Sequence, residues 1–171
     1  MNCIRIVVAL SVLGCGVAGL VTADEKAGPE QAFLQNLVGE WDAVVNFGGG
    51  ESKAVEKSRL EGGVWLISDF HGEFGGQKFV GHGVKGYDTN KKKFAGVWVD
   101  TMSASMMTVE GKLDGAGKVL TEVAEAIGMD GKPNKMKMTT EIVDKDTHVF
   151  KMYDTPDAAQ PSMTITYKRK K

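Results

Sequence analysis

The sequence predicts an all-β protein: a single antiparallel barrel of about ten strands with one short helix ahead of it. Three observations carry this. After Trp41 apolar and polar residues alternate with a period of two, as in strands with one buried face. The alternating runs are short. They are separated by turn formers such as Asp88-Thr89-Asn90, Asp114-Gly115-Ala116-Gly117, Asp144-Lys145-Asp146-Thr147 and Asp154-Thr155-Pro156, in which an Asp carboxylate accepts a backbone N–H two residues on. Many short strands joined by tight turns argue for a barrel or sandwich, and closure removes the edges that a long meander would expose.

The first 23 residues stand apart. Met1 to Arg5 carries one positive charge, Ile6 to Val21 is an apolar run of about 16 residues, and Val21-Thr22-Ala23 is a small-residue cleavage site followed by Asp24-Glu25-Lys26. This is the plan of a secretory signal peptide, too short for the roughly 20 residues of a spanning helix. The expected location is therefore periplasmic or extracellular. Val12-Leu13-Gly14-Cys15 loosely matches a lipidation site, so a lipid anchor on Cys15 is the alternative. Both cysteines, Cys3 and Cys15, fall in this leader, and cleavage after Ala23 leaves 148 of the 171 residues without a thiol. The core must then hold without disulfides, and a chain of that length can supply one.

Residues 24–38 read as a polar lead-in and a short helix. Pro29 suits the first helical turn. Phe33, Leu34, Leu37 and Val38 fall at helical spacing, and Gly39 suits the stop. The barrel domain spans residues 39–171. Trp41, Ala43, Val45 and Phe47 share one face of the first strand, and Gly48-Gly49-Gly50 turns it. Ser52 to Leu60 is the second. In the third, Val64, Leu66, Ser68, Phe70 and Phe74 oppose Trp65, Ile67, Asp69, His71 and Glu73. Lys78 to Tyr87, Phe94 to Asp100, Met106 to Leu113 and Val119 to Ala126 follow. Met136, Met138, Thr140 and Ile142 then oppose Lys135, Lys137, Thr139 and Glu141. His148 to Tyr153 and Met163 to Arg169 complete the set.

Charge narrows the function. Without Arg5 the chain carries 20 Lys+Arg against 22 Asp+Glu, a net of −2, and no basic face points to nucleic acid. Gly81-His82-Gly83-Val84-Lys85-Gly86 spells a dinucleotide fingerprint, but that motif works only between a strand and a helix. Here Tyr87-Asp88 leads into a turn and another strand. The glycines are read instead as places where the strand bends and a neighbouring side chain lies over bare backbone. His71, His82 and His148 are not at metal-site spacing, and no metal site is expected. A haem held by one of them is a minor alternative, the ordinary reading being a surface or partly buried polar residue. The methionines read as core or cavity lining, with Cu(I) at Met136-x-Met138 as a lesser option. No nucleophile motif occurs, so no catalytic residue is expected. Asp69, His71 and Glu73 read as an outward polar strip.

Trp98, Asp100 and Met102 point one way if their strand runs regularly. An aromatic plate, a carboxylate and a thioether on one face make them the first candidates for a ligand site, with Tyr87 behind them.

Gly39-Glu40-Trp41 resembles the opening of lipocalin-like barrels, in which the Trp plugs the closed end and the Gly lets the chain pass close to it. Together with Gly81-x-Gly83-x-x-Gly86-Tyr87-Asp88, Trp98-x-Asp100-Thr101-Met102, Glu110-Gly111 and His148-Val149-Phe150-x-Met152-Tyr153, it makes the chain resemble the bacterial family called domain of unknown function 1579. The likeness runs from about Leu37 to Arg169. It implies a lipocalin-like barrel and no particular reaction. Gly39 and Trp41 are then structural. The expected function is an exported barrel that binds a small apolar molecule in its lumen, as a monomer or dimer and with no membrane span after cleavage. The alternatives are a haem or copper barrel, an acid–base enzyme near Asp100, or an envelope interaction module.

Overall fold

A computed structural model describes residues 28–47, 49–128 and 131–171. The expected leader, with Cys3 and Cys15, lies outside the described residues, as does Met129. One helix, α1 (Pro29–Leu37), precedes ten strands: β1 (Gly39–Asn46), β2 (Glu51–Glu61), β3 (Trp65–Phe74), β4 (Gln77–Asp88), β5 (Lys93–Asp100), β6 (Met107–Leu113), β7 (Val119–Ile127), β8 (Pro133–Asp144), β9 (Thr147–Tyr153) and β10 (Met163–Arg169). Each strand pairs antiparallel with the next, and β10 returns to β1, so the sheet is a closed barrel. Among the described residues no helix is long and apolar enough to cross a membrane.

The alternation sets what faces inward. Trp41, Ala43 and Val45 on β1 are buried while the residues between them are exposed. Cross-strand partners share a face, so this phase carries around the barrel through the register. Trp41 pairs with Glu56, Glu56 with Phe70, Phe70 with Gly81 and Gly81 with Asp100.

Helix α1 covers one end. Pro29 stands in its first turn with Glu30, where an acid favours the helix dipole. Phe33, Leu34 and Leu37 pack with Leu66, Phe94 and Leu120 into a cluster under the helix. Trp41 is buried at this end, its indole N–H bonded to the Leu37 carbonyl at 2.9 Å. Arg169 locks the arrangement. Its guanidinium lies over the Trp41 ring and donates to the Val38 and Asn36 carbonyls at 2.7 and 3.1 Å. Gly39 has φ 139°, and a Cβ there would run into that guanidinium. The Gly-x-Trp pair is thus explained by space for an arginine 130 residues away in sequence.

Two expectations shift. Strand β5 ends at Asp100, so Met102 sits in the following turn and not in register with Trp98. Val64 belongs to the turn before β3 and is exposed.

Candidate ligand-binding site

The end of the barrel away from α1 opens into a cavity of about 460 Å³. Protein interiors are close-packed, with few voids larger than a water molecule, so a space of this size is not a default of packing. It falls within the roughly 300–1,000 Å³ of small-molecule sites.

Its two walls differ in chemistry. On one side Phe47, Phe74, Phe79, Phe70 and Trp98 form a continuous chain of edge-on and tilted ring contacts, with centroids 5.1–6.4 Å apart. On the other, Met138, Met152 and Met163 are direct cross-strand partners on β8, β9 and β10, and Met136 and Met107 extend the row. Rigid rings thus face flexible, polarizable thioethers, which adapt to the shape of a guest.

Trp98 owes its place to missing side chains. Its ring covers Gly81 and Gly83, and a Cβ at Gly81 would overlap it. Gly86 is covered likewise, on the outer face, by Trp65, whose ring would stand 2.5 Å from an added Cβ. The glycine motif therefore serves side chains laid over backbone, as the sequence predicts.

Asp100 anchors the rim. One carboxylate oxygen accepts the Trp98 indole N–H at 3.0 Å. The other accepts the backbone N–H groups of Met102 and Ser103 at 2.8 and 3.0 Å. Thr101 ties the same loop to Val80 through both its N–H and its hydroxyl. Met102 is 65% exposed and borders the cavity at this rim. Both oxygens of Asp100 are engaged in holding structure, which is a positioning role and not that of a poised base. Tyr87 lies elsewhere, against Phe94 in the cluster under α1. The structure brings Trp98, Asp100 and Met102 together and leaves Tyr87 out.

Sequence reasoning missed the deep polar layer. Lys85 and Glu122 form an ion pair at 2.5 Å, with the Glu122 side chain fully buried. Glu122 lies against Gly111, where a Cβ would stand 2.5 Å from its Cγ, so Glu110-Gly111 makes room for this carboxylate. The other Glu122 oxygen is buried without a partner among the described residues. Glu56 accepts from the Ser58 hydroxyl, which is paired with Ser68, both at 2.8 Å. Burial pushes the Glu56 carboxyl above the usual carboxylate range, against the pull of Ser58, Tyr167 and the Lys85 charge. Burial likewise drives the Tyr167 phenol well above its ordinary 10.0, and Glu56 adds to it. The signal was present: Glu122 follows Leu120 and precedes Ala124 on the apolar phase of β7.

The histidines divide. His71 and His82 point outward, and His82 Nδ1 bonds the Asp69 carboxylate at 2.7 Å. His148 is 3% exposed, stacked on Tyr167 at 4.2 Å and edge-on to Trp41 at 4.4 Å. That corrects the expectation of a surface or partly buried residue. Burial, aided by the Arg169 charge, holds it neutral by lowering its pKa to about 3. Among the described residues no three His, Cys, Asp or Glu side chains gather as a metal site.

The family described as "Protein of unknown function (DUF1579)" matches residues 26–169. The crystal structure of Rv2717c from M. tuberculosis is similar in fold, with a TM-score of 0.59 at 13% identity over 85% of this chain and 100% of that one. No curated protein matches.

Proposed function

The chain belongs to the DUF1579 family, and from that premise we propose that it is an exported carrier which holds a small, largely apolar molecule in the barrel lumen. The observation that carries this reading is the 460 Å³ cavity between an aromatic wall and a thioether wall. Such lining supports affinity for apolar surface without a demand for one shape. Trp98 forms part of the wall, Asp100 fixes the rim loop, and Met102 stands at the entrance.

Fluorescence titration with the neutral apolar probe N-phenyl-1-naphthylamine tests the reading, alongside native mass spectrometry of protein purified from its own host. Saturable binding that a Phe70→Asp change abolishes supports it. If the probe fails to bind and every preparation is free of small molecules, the reading falls.

A second reading is favoured by one observation, the cross-strand row of Met138, Met152 and Met163 along the cavity. Thioethers are ligands for Cu(I). Competition with a Cu(I) chelator decides it: no transfer of copper to the protein, or transfer unaffected by Met152→Leu, removes it.

A further inference from the structure

Resting on the reading that the lumen holds a ligand, the polar layer at its closed end says which chemical group enters first. Glu56, Lys85, His148 and Tyr167 all border the cavity. The charge on Lys85 is answered by Glu122, its ion-pair partner at 2.5 Å. His148 is neutral, since burial holds its pKa near about 3, and Tyr167 is a neutral phenol. Arg169 is engaged with the Val38, Asn36 and Lys145 carbonyls and stacks on Trp41. Among the described residues that line the cavity, the cation Lys85 is therefore matched. What is left over is hydrogen-bonding capacity at Glu56, which receives Ser58 on one oxygen and interacts with the Tyr167 hydroxyl and keeps acceptor sites in either protonation state, and at His148 Nδ1, which is buried without a partner among the described residues.

We infer that the lumen selects an apolar molecule whose inner end is a hydrogen-bond donor and not an anion, an alcohol or amine head meeting the Glu56 carboxyl while the hydrocarbon body lies between the ring and thioether walls. An anionic head would meet the Glu56 carboxyl, and the ammonium that borders the cavity beside it, Lys85, is already paired with Glu122. In a site with little water, an unanswered charge is heavily penalised. A donor head meets the opposite situation. It gives Glu56 a further partner and leaves the Lys85–Glu122 pair intact. This is the reverse of a pocket built for fatty-acid carboxylates, which needs a free cation at its base.

The test uses three ligands with one chain and different heads: dodecan-1-ol, dodecylamine and dodecanoate. Each displaces N-phenyl-1-naphthylamine from the purified protein at pH 7.5, below its solubility limit or critical micelle concentration. The alcohol and the amine are expected to displace the probe at concentrations at least about tenfold lower than dodecanoate. Glu56→Gln, an isosteric change whose folding is checked by thermal unfolding, is expected to erase most of the gap between amine and carboxylate. The wild-type series stands even if that variant folds poorly. Dodecanoate binding as tightly as the others overturns the inference while leaving the lumen reading in place. A gap that survives Glu56→Gln removes Glu56 as the recognising group. If neither the probe nor any of the three binds, the lumen reading itself fails, and the headgroup inference with it.

Discussion

Trp98 donates its indole N–H to the Asp100 carboxylate at 3.0 Å, and that same carboxylate holds the Met102 and Ser103 amides of the loop after β5. One side chain thus fixes both a wall of the lumen and its rim. Asp100→Ala removes three hydrogen bonds at once. The group is only half-buried, so the expected loss of stability is modest, about 1–2 kcal/mol. The larger effect falls on exchange, because the rim loop loses its anchor. Stopped-flow measurement of probe release is expected to show a several-fold faster rate with little change at equilibrium. An unchanged release rate rules out the anchoring role.

Gly81 is the bare surface against which the Trp98 ring rests. A methyl group there collides with the ring itself, and a ring against backbone has little room to yield. Gly81→Ala is expected to cost about 1–3 kcal/mol by overpacking and to swing the indole into the lumen. Trp98 fluorescence reports the move, and probe affinity falls with it. Gly76→Ala, with nothing near its missing Cβ but φ 80°, controls for backbone strain alone: it lowers stability without touching probe affinity. Equal effects of the two on affinity contradict the account.

The Lys85–Glu122 pair separates two ideas about buried charge. Lys85→Met leaves Glu122 fully buried with no partner on either oxygen. Breaking such a pair from one side costs about 3–5 kcal/mol. Replacing both, with Lys85→Met and Glu122→Leu, is expected to recover most of that, because the desolvation penalty disappears with the charges. Urea unfolding of the two single variants and the double variant measures the coupling. Additive losses mean that the pair is not the unit described here.

How much of this was legible in the sequence depends on whether the cause was local. Alternation of two and Asp-rich turns are local, and they gave the strands. The glycines of β4 were legible as bare backbone because no helix follows to use them otherwise. The Trp98–Asp100 grouping was legible from spacing, although the Asx turn at Asp100 ends the strand two residues before Met102. Tyr87 was misplaced because alternation fixes which face a residue takes and not how far along the barrel axis it lies; it shares a face with Trp98 but sits at the closed end. His148 and Arg169 were opaque for a different reason. Their surroundings are assembled by closure, when β10 meets β1 and brings Tyr167 and Arg169 beside Ala43 and Trp41. The lone acid in the apolar phase of β7 was a readable signal for Glu122. Its partner on β4 was not, since the two strands are not neighbours in the sheet.

His148 makes stability depend on pH in a window that can be isolated. Its folded pKa of about 3 lies below the ordinary 6.5. The unfolded chain therefore takes up a proton that the folded chain refuses. Stability from this residue is fully present above pH 6.5 and is lost as pH falls below it, at about 1.4 kcal/mol per unit. Other groups act too. Asp69, Asp114 and Asp144 are held below their ordinary value of 3.8 and add a loss at lower pH. Glu56, raised above 4.5, works in the opposite sense, favouring the fold at low pH and weakening it as pH rises through its folded value. These are common to wild type and to His148→Phe, which keeps a ring for the stack on Tyr167 and the edge contact with Trp41. The difference between the two proteins therefore isolates the imidazole. Urea unfolding between pH 6.5 and 4.5 is expected to show wild type losing about 2–3 kcal/mol relative to the variant. Parallel stability curves across that interval mean that the imidazole protonates as readily in the folded barrel as outside it, and that its burial beneath Trp41 is not what keeps it neutral.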